Sequence, residues 1–126
     1  MDVSDWVVLA VEDEPDGQEV VIGLLAHFGV QVDVVGSAEE ALHFLSERSY
    51  HAVILDLALP GMDGLTLLNT IRSNEFTSAV PCLVITAYYS SLVKKQAFEA
   101  GCDAYLTKPL QENDLYRELS RLLGNN

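Results

Sequence analysis

Positive charge is what this chain has least of: 7 Lys and Arg stand against 19 Asp and Glu, a formal net charge of −12 at pH 7. A duplex phosphate backbone repels such a surface, and no basic cluster is longer than Lys94-Lys95, so direct nucleic-acid binding is excluded as a role. Cysteine is scarce too. Cys82 and Cys102 lie far apart among apolar neighbours, without the paired spacing of a metal site or the density of a secreted scaffold, and they read as buried thiols in a reducing compartment. Long hydrophobic runs are missing: Trp6 to Val11 is far too short to cross a bilayer. The acidic opening, Met1 to Asp5, lacks the positive charge that begins a signal peptide. The expectation is a cytoplasmic chain with no membrane association. Linkers, low-complexity tracts and internal repeats are absent as well.

What is present suits one domain, 1–126, with 49% hydrophobic residues for a core. Apolar runs of strand length alternate with amphipathic segments of helix length five times. The first strand is Trp6 to Val11, and Pro15 stands where a helix begins. That helix carries Val20, Val21, Leu24, Leu25 and Phe28 at helical spacing, and Gly29 ends it. Val30 to Val35 is the second strand; Ser37 then reads as the N-cap of a helix with Glu39 and Glu40 in its first turn. Ala52 to Leu55, continuously apolar and ending at Asp56, is a strand buried on both faces. The turn-rich loop Leu57 to Gly64 leads to a helix through Leu65, Leu68 and Ile71. Pro81 to Thr86 is the fourth strand, about Ser90 to Ala100 a helix ended by Gly101, Ala104 to Leu106 the fifth strand, and Glu112 to Leu123 the last helix.

This alternation predicts an α/β, three-layer (βα)5 fold of flavodoxin-like type, a parallel five-stranded sheet in order 2-1-3-4-5 with helices on both faces. Ligands of such sheets sit at the carboxyl ends of the strands, where the strand order reverses. The polar residues there are Glu12, Asp13, Asp56, Thr86 and Lys108. Each has an ordinary explanation alone: an acidic pair suits a helix N-terminus, an Asp a turn, a Thr a strand, a Lys the solvent. Together they describe a site. The first and third strands are neighbours, so three carboxylates are expected within several ångströms, a repulsive arrangement that calls for a cation or raised pKa values. Mg²⁺ (or Mn²⁺) prefers oxygen ligands of this kind and suits phosphoryl chemistry. A carboxylate that attacked phosphorus would become an aspartyl phosphate, with Lys108 and Thr86 supplying a positive charge and a hydrogen-bond donor.

The runs Val11-Glu12-Asp13-Glu14-Pro15, Leu55 to Gly64, Ile85-Thr86-Ala87 and Ala100 to Pro109 resemble the receiver (CheY-like) domains of response regulators, across essentially the whole chain. The resemblance implies that Asp56 accepts the phosphoryl group from a sensor histidine kinase or histidine phosphotransfer protein. It implies that Asp13, Asp56 and the Ala58 backbone carbonyl hold Mg²⁺, with Glu12 acting through water. It implies that Lys108, whose bond to Pro109 is often cis in the family, pairs with the phosphoryl oxygens. Thr86 and Tyr105 are the implied switch, altering the face of the fourth helix, fifth strand and last helix that meets a downstream output protein or domain. Such a chain is a switch rather than a turnover enzyme.

Three positions depart from common patterns. Glu12 stands where many relatives carry Asp. Ala58 and Tyr88 stand at the positions that, in this family, flank the path of the hydrolytic water; Ala58 offers nothing to orient it and Tyr88 is large enough to obstruct it, so slow self-dephosphorylation is expected. Tyr88, Tyr89, Leu92 and Val93 give the fourth helix an apolar start. Lys94 and Lys95 could meet Glu112, Asp114 or Glu118 of a twin in a homodimer, although a solvated surface explains them equally well. Competing readings are a flavodoxin-like electron carrier, which the acids after the first strand disfavour because they would repel FMN phosphate, an aspartyl-phosphate phosphatase, which lacks its second acid at Ala58, and a degenerate receiver that only binds protein.

Overall fold

Strand and helix alternate as the apolar pattern predicts in a computed structural model that describes residues 3–87, 90–111 and 113–124. After one 3₁₀ turn, Val3–Asp5, the order is β1 (Val7–Val11), α1 (Pro15–His27), β2 (Gln31–Val35), α2 (Ala38–Glu47), β3 (Ala52–Leu55), α3 (Gly64–Ser73), β4 (Cys82–Thr86), α4 (Ser91–Ala100), β5 (Ala104–Thr107) and α5 (Asp114–Leu123). All strand pairs are parallel, in the order β2-β1-β3-β4-β5.

Side chains alternate across a strand, and here both faces are covered. Leu9, Val11, Val53, Leu55 and Val84 pack with Ala38, Ala41, Leu67, Leu68, Ile71 and Ala97 of α2, α3 and α4. Val8, Ala10, Ile54, Leu83 and Ile85 pack with Val21, Leu25, Leu115 and Leu119 of α1 and α5. Each fully buried Leu or Ile contributes about 1.5–3 kcal/mol of transfer free energy, so these two apolar layers hold the strand tips in register. Cys82 and Cys102 are buried in the first layer as free thiols. Burial pushes Cys82 from the ordinary 9.0 up to about 12 and Cys102 up to about 11.

The elements begin and end slightly off the expected positions, for local reasons. Trp6, Val30 and Pro81 lie just outside their strands; Trp6 is nonetheless fully buried, stacked near Tyr116 of α5 with ring centroids 6.2 Å apart. Ser90 caps α4 through a hydrogen bond to its Oγ from Val93 N at 3.2 Å, as Ser37 caps α2 by accepting from Glu40 N at 3.1 Å. β5 runs one residue further, to Thr107, and α5 begins at Asp114, with Glu112 outside the described residues. Val20 corrects the expected apolar face of α1: it is 50% exposed, while Val21 and Leu25 are buried.

Candidate functional site

Three polar residues at strand tips are fixed by the sheet itself, because each continues a backbone ladder past the strand end. Glu12 N donates to Val35 O at 3.0 Å, Asp56 N to Val11 O at 3.1 Å and Lys108 N to Thr86 O at 2.9 Å. Neighbouring strands thus carry Glu12, Asp56, Thr86 and Lys108 to one edge of the sheet. The Lys108–Pro109 peptide bond is cis.

Their side chains form a compact ionic group. Lys108 Nζ donates to Asp56 Oδ2 at 2.8 Å and also to Glu12 Oε1. Asp56 Oδ1 accepts the backbone N–H of Ala58 at 3.0 Å. Both acids are buried, Glu12 at 1% and Asp56 at 5% exposure, and the Lys108 side chain is 26% exposed. Burial by itself disfavours the ammonium, but the hydrogen bonds and charges of Asp56 and Glu12 outweigh it and raise the Lys108 pKa above the usual 10.5. One cation therefore faces two buried carboxylates, a group with charge to spare for a second cation or an incoming electrophile.

Thr86 is buried beside this group at the end of β4, and Tyr105 is half-buried on β5, packed against the layer that contains Val84 and Ala97. Ala58 is exposed, and Tyr88 and Tyr89 lie outside the described residues. Asp13 stands one residue beyond Glu12. It is exposed, and among the described residues no three His, Cys, Asp or Glu side chains are gathered into a ready-made metal group. Two of the three carboxylates expected here, Glu12 and Asp56, meet on Lys108 Nζ. Consecutive residues leaving a strand turn to opposite sides, and Glu12 takes the buried one. The donor chemistry still fits Mg²⁺: carboxylate and carbonyl oxygens at the tips of two adjacent strands, with surplus negative charge.

Several supporting residues were not foreseen. Gln18 Nε2 donates to Glu12 O at 2.7 Å, tying α1 to the tip of β1. The Glu39 carboxylate accepts Met62 N at 3.3 Å and holds the loop after β3. Gly64 N donates to Leu57 O at 3.1 Å, and a Cβ on Gly64 would stand 2.6 Å from both Asp56 O and Leu57 Cα. A groove of about 610 Å³ opens between Gly17, Val20 and Val21 of α1 and the stretch Lys108–Leu110, which accounts for the exposure of Val20.

This combination of sheet order and strand-tip residues defines a receiver fold, and comparison with known proteins agrees. Residues 8–120 match the response regulator receiver domain, and the chain belongs to that family. The two-component response regulator PhoP of Pseudomonas aeruginosa is 38% identical over 116 residues, 92% of this chain and 51% of that protein; this chain spans about half the length of that relative. Among solved structures, a response regulator from Chloroflexus aurantiacus is similar at a TM-score of 0.91 with 32% identity, covering 95% of this chain and 98% of that one. The receiver domain of a sensor histidine kinase from Pseudomonas aeruginosa, with magnesium ion coordinated in its active-site cleft, is similar at a TM-score of 0.88 with 31% identity, over the same 95% and 98%. Among the described residues no helix is long and apolar enough to cross a membrane.

Proposed function

We propose that this receiver domain is a phosphoacceptor switch in a two-component phosphorelay. The single observation that carries the reading is the buried Asp56 carboxylate held by Lys108 Nζ at 2.8 Å and by the Ala58 amide. A histidine kinase or phosphotransfer protein presents phosphohistidine; an Asp56 oxygen forms a bond to phosphorus as the P–N bond breaks, and the departing imidazole recovers its electron pair. Lys108 then shifts its hydrogen bond from the carboxylate to the phosphoryl oxygens, whose charge of about −2 exceeds that of the carboxylate they replace. Mg²⁺ (or Mn²⁺), held by Asp13, Asp56, the Ala58 carbonyl and, through water, Glu12, would supply the remaining positive charge against the developing phosphoryl anion.

The acyl phosphate biases a two-state equilibrium through the Thr86 hydroxyl and Tyr105, altering the face built by α4, β5 and α5. Exposed Leu92 (63%) and Phe98 (44%) on α4 suit that face for an output protein or domain. A homodimer joined by Lys94 and Lys95 competes with pairs already made within α5, Arg117 with Asp114 and Arg121 with Glu118; sedimentation with and without a phosphate mimic tests it. Intact mass after treatment with Mg²⁺ and acetyl phosphate tests the reaction itself. A phosphoryl-sized gain in wild type, lost in Asp56→Asn, is the expected result. An equal gain in both, or none in either, sinks the proposal. With Ala58 and Tyr88 at the sequence positions that flank the path of hydrolytic water in this family, the phosphoryl group survives for minutes or longer. Release that is no faster in Tyr88→Ala removes the shielding role of that ring.

A further inference from the structure

Glycine is a poor helix former, about 1 kcal/mol worse than alanine in a helix interior, yet Gly17 occupies the first turn of α1, two residues after Pro15. The reason lies beneath it. A Cβ on Gly17 would stand 2.6 Å from Glu12 Cδ and 2.9 Å from Glu12 Cγ, closer than van der Waals contact allows. The Glu12 side chain folds back against the bare Gly17 backbone, and from that position its carboxylate reaches Lys108 Nζ while its other oxygen lies 3.4 Å from Glu14 N. An aspartate at position 12 would end one methylene earlier. Gln18, the neighbour of Gly17, reinforces the arrangement by holding the Glu12 carbonyl at 2.7 Å.

We infer that Gly17 is a positioning residue of the phosphoryl site: the missing side chain creates the recess that lets a glutamate, rather than the shorter aspartate, serve at the tip of β1. The inference deepens the phosphoacceptor reading and rests on it, because the function it positions is the Glu12 contribution to cation binding. The atoms that a Cβ would strike belong to a side chain that can swing away, so Gly17→Ala folds, and the collision is relieved by drawing the Glu12 carboxylate off Lys108.

The test is a cycle of four proteins: wild type, Gly17→Ala, Glu12→Asp and the double variant, each titrated with Mg²⁺ alone and each melted without metal. Gly17→Ala weakens Mg²⁺ binding about 10-fold, the loss typical when a group supporting the metal's ligands is disturbed, while its metal-free melting temperature stays near or above that of wild type. In the Glu12→Asp background the same Gly17→Ala change leaves the Mg²⁺ dissociation constant within about twofold of its parent, because no methylene fills the recess. A purely conformational role for glycine would give equal effects in both backgrounds and overturns the inference, as does Mg²⁺ binding unchanged by Gly17→Ala. Failure of Gly17→Ala to fold in both backgrounds also overturns it, since Glu12 would then not be the obstacle. If wild type itself binds no Mg²⁺ and gains no phosphoryl mass, the phosphoacceptor reading is what fails.

Discussion

Replacing Lys108 with alanine leaves two buried carboxylates, Glu12 and Asp56, without the cation that they share. Breaking a fully buried pair from one side costs about 3–5 kcal/mol. Lys108 keeps 26% of its side-chain exposure, so water reaches the vacated place and the loss falls to about 2–3 kcal/mol. An unfolding entropy near 2.1 cal/mol/K per residue amounts to about 0.26 kcal/mol/K for 126 residues, and the melting temperature drops by about 8–12 °C. Lys108→Met, which keeps most of the apolar stem, separates lost charge from lost packing and retains most of the deficit. The decisive assay is urea unfolding with and without Mg²⁺. A divalent cation stabilises the variant more than wild type, because one positive charge no longer competes with it for the same oxygens. The pH dependence has a definite sign. A folded pKa raised above 10.5 gives stability that is fully present below the unfolded value and lost as pH climbs through the folded one, so wild type and variant converge only in strong alkali. A loss below about 1 kcal/mol, or equal Mg²⁺ stabilisation of both proteins, refutes the charge balance drawn for the site.

Gly64→Ala forces a Cβ to within 2.6 Å of backbone on both Asp56 and Leu57, and urea titration registers a loss of about 2–4 kcal/mol. Arg72 donates to the carbonyls of Gly101, Ser78 and Val80 at 2.9, 3.0 and 2.7 Å and pairs with Asp103 at 3.0 Å; Arg72→Ala costs about 2–3 kcal/mol, and Arg72→Lys, which cannot fork to these acceptors, recovers less than half. Cys82 and Cys102 resist iodoacetamide at pH 8 in the folded protein and react once it is unfolded. Stability declines as pH rises from the ordinary thiol value of 9.0 toward about 12, since the unfolded chain loses those protons first. A flat stability profile across that window refutes the assigned burial of the thiols.

The fold was legible because its signals are redundant. Ala52–Leu55 is apolar at every position, and the strand it forms is buried at every position at the centre of the sheet. Gly101, at φ 113, ends α4 where a stop was expected. Period alone misled at Val20: a residue beside a packed stripe lies either on the core or on its rim, and only the placement of Lys108–Leu110 opposite α1 decides that it lines a groove. Strand limits shifted at a residue such as Trp6, whose carbonyl still accepts from Gln31 N at 3.1 Å while its own N–H turns back to Val3 O at 3.0 Å, since apolar composition reports burial and not hydrogen-bond pattern.

The site separates into what side-chain chemistry announces and what only packing creates. Asp56, Lys108 and Thr86 are polar groups at strand ends, and the topology rule selects them before any contact is known. Asp13 and Glu12 are adjacent and equally acidic, and residue type alone does not say which of them is buried; Glu12 is buried on Lys108 and Asp13 is exposed. The difference lies in the strand's alternation and in the recess that Gly17 leaves, which is an absence of atoms rather than a motif. Gly64 is of the same kind: it contributes no side chain, and a single added methyl there would strike the carbonyl of Asp56. Acceptors and ammonium groups can be nominated from residue type and spacing, but the empty volumes that let them approach have no letter of their own until the helices are set against the sheet.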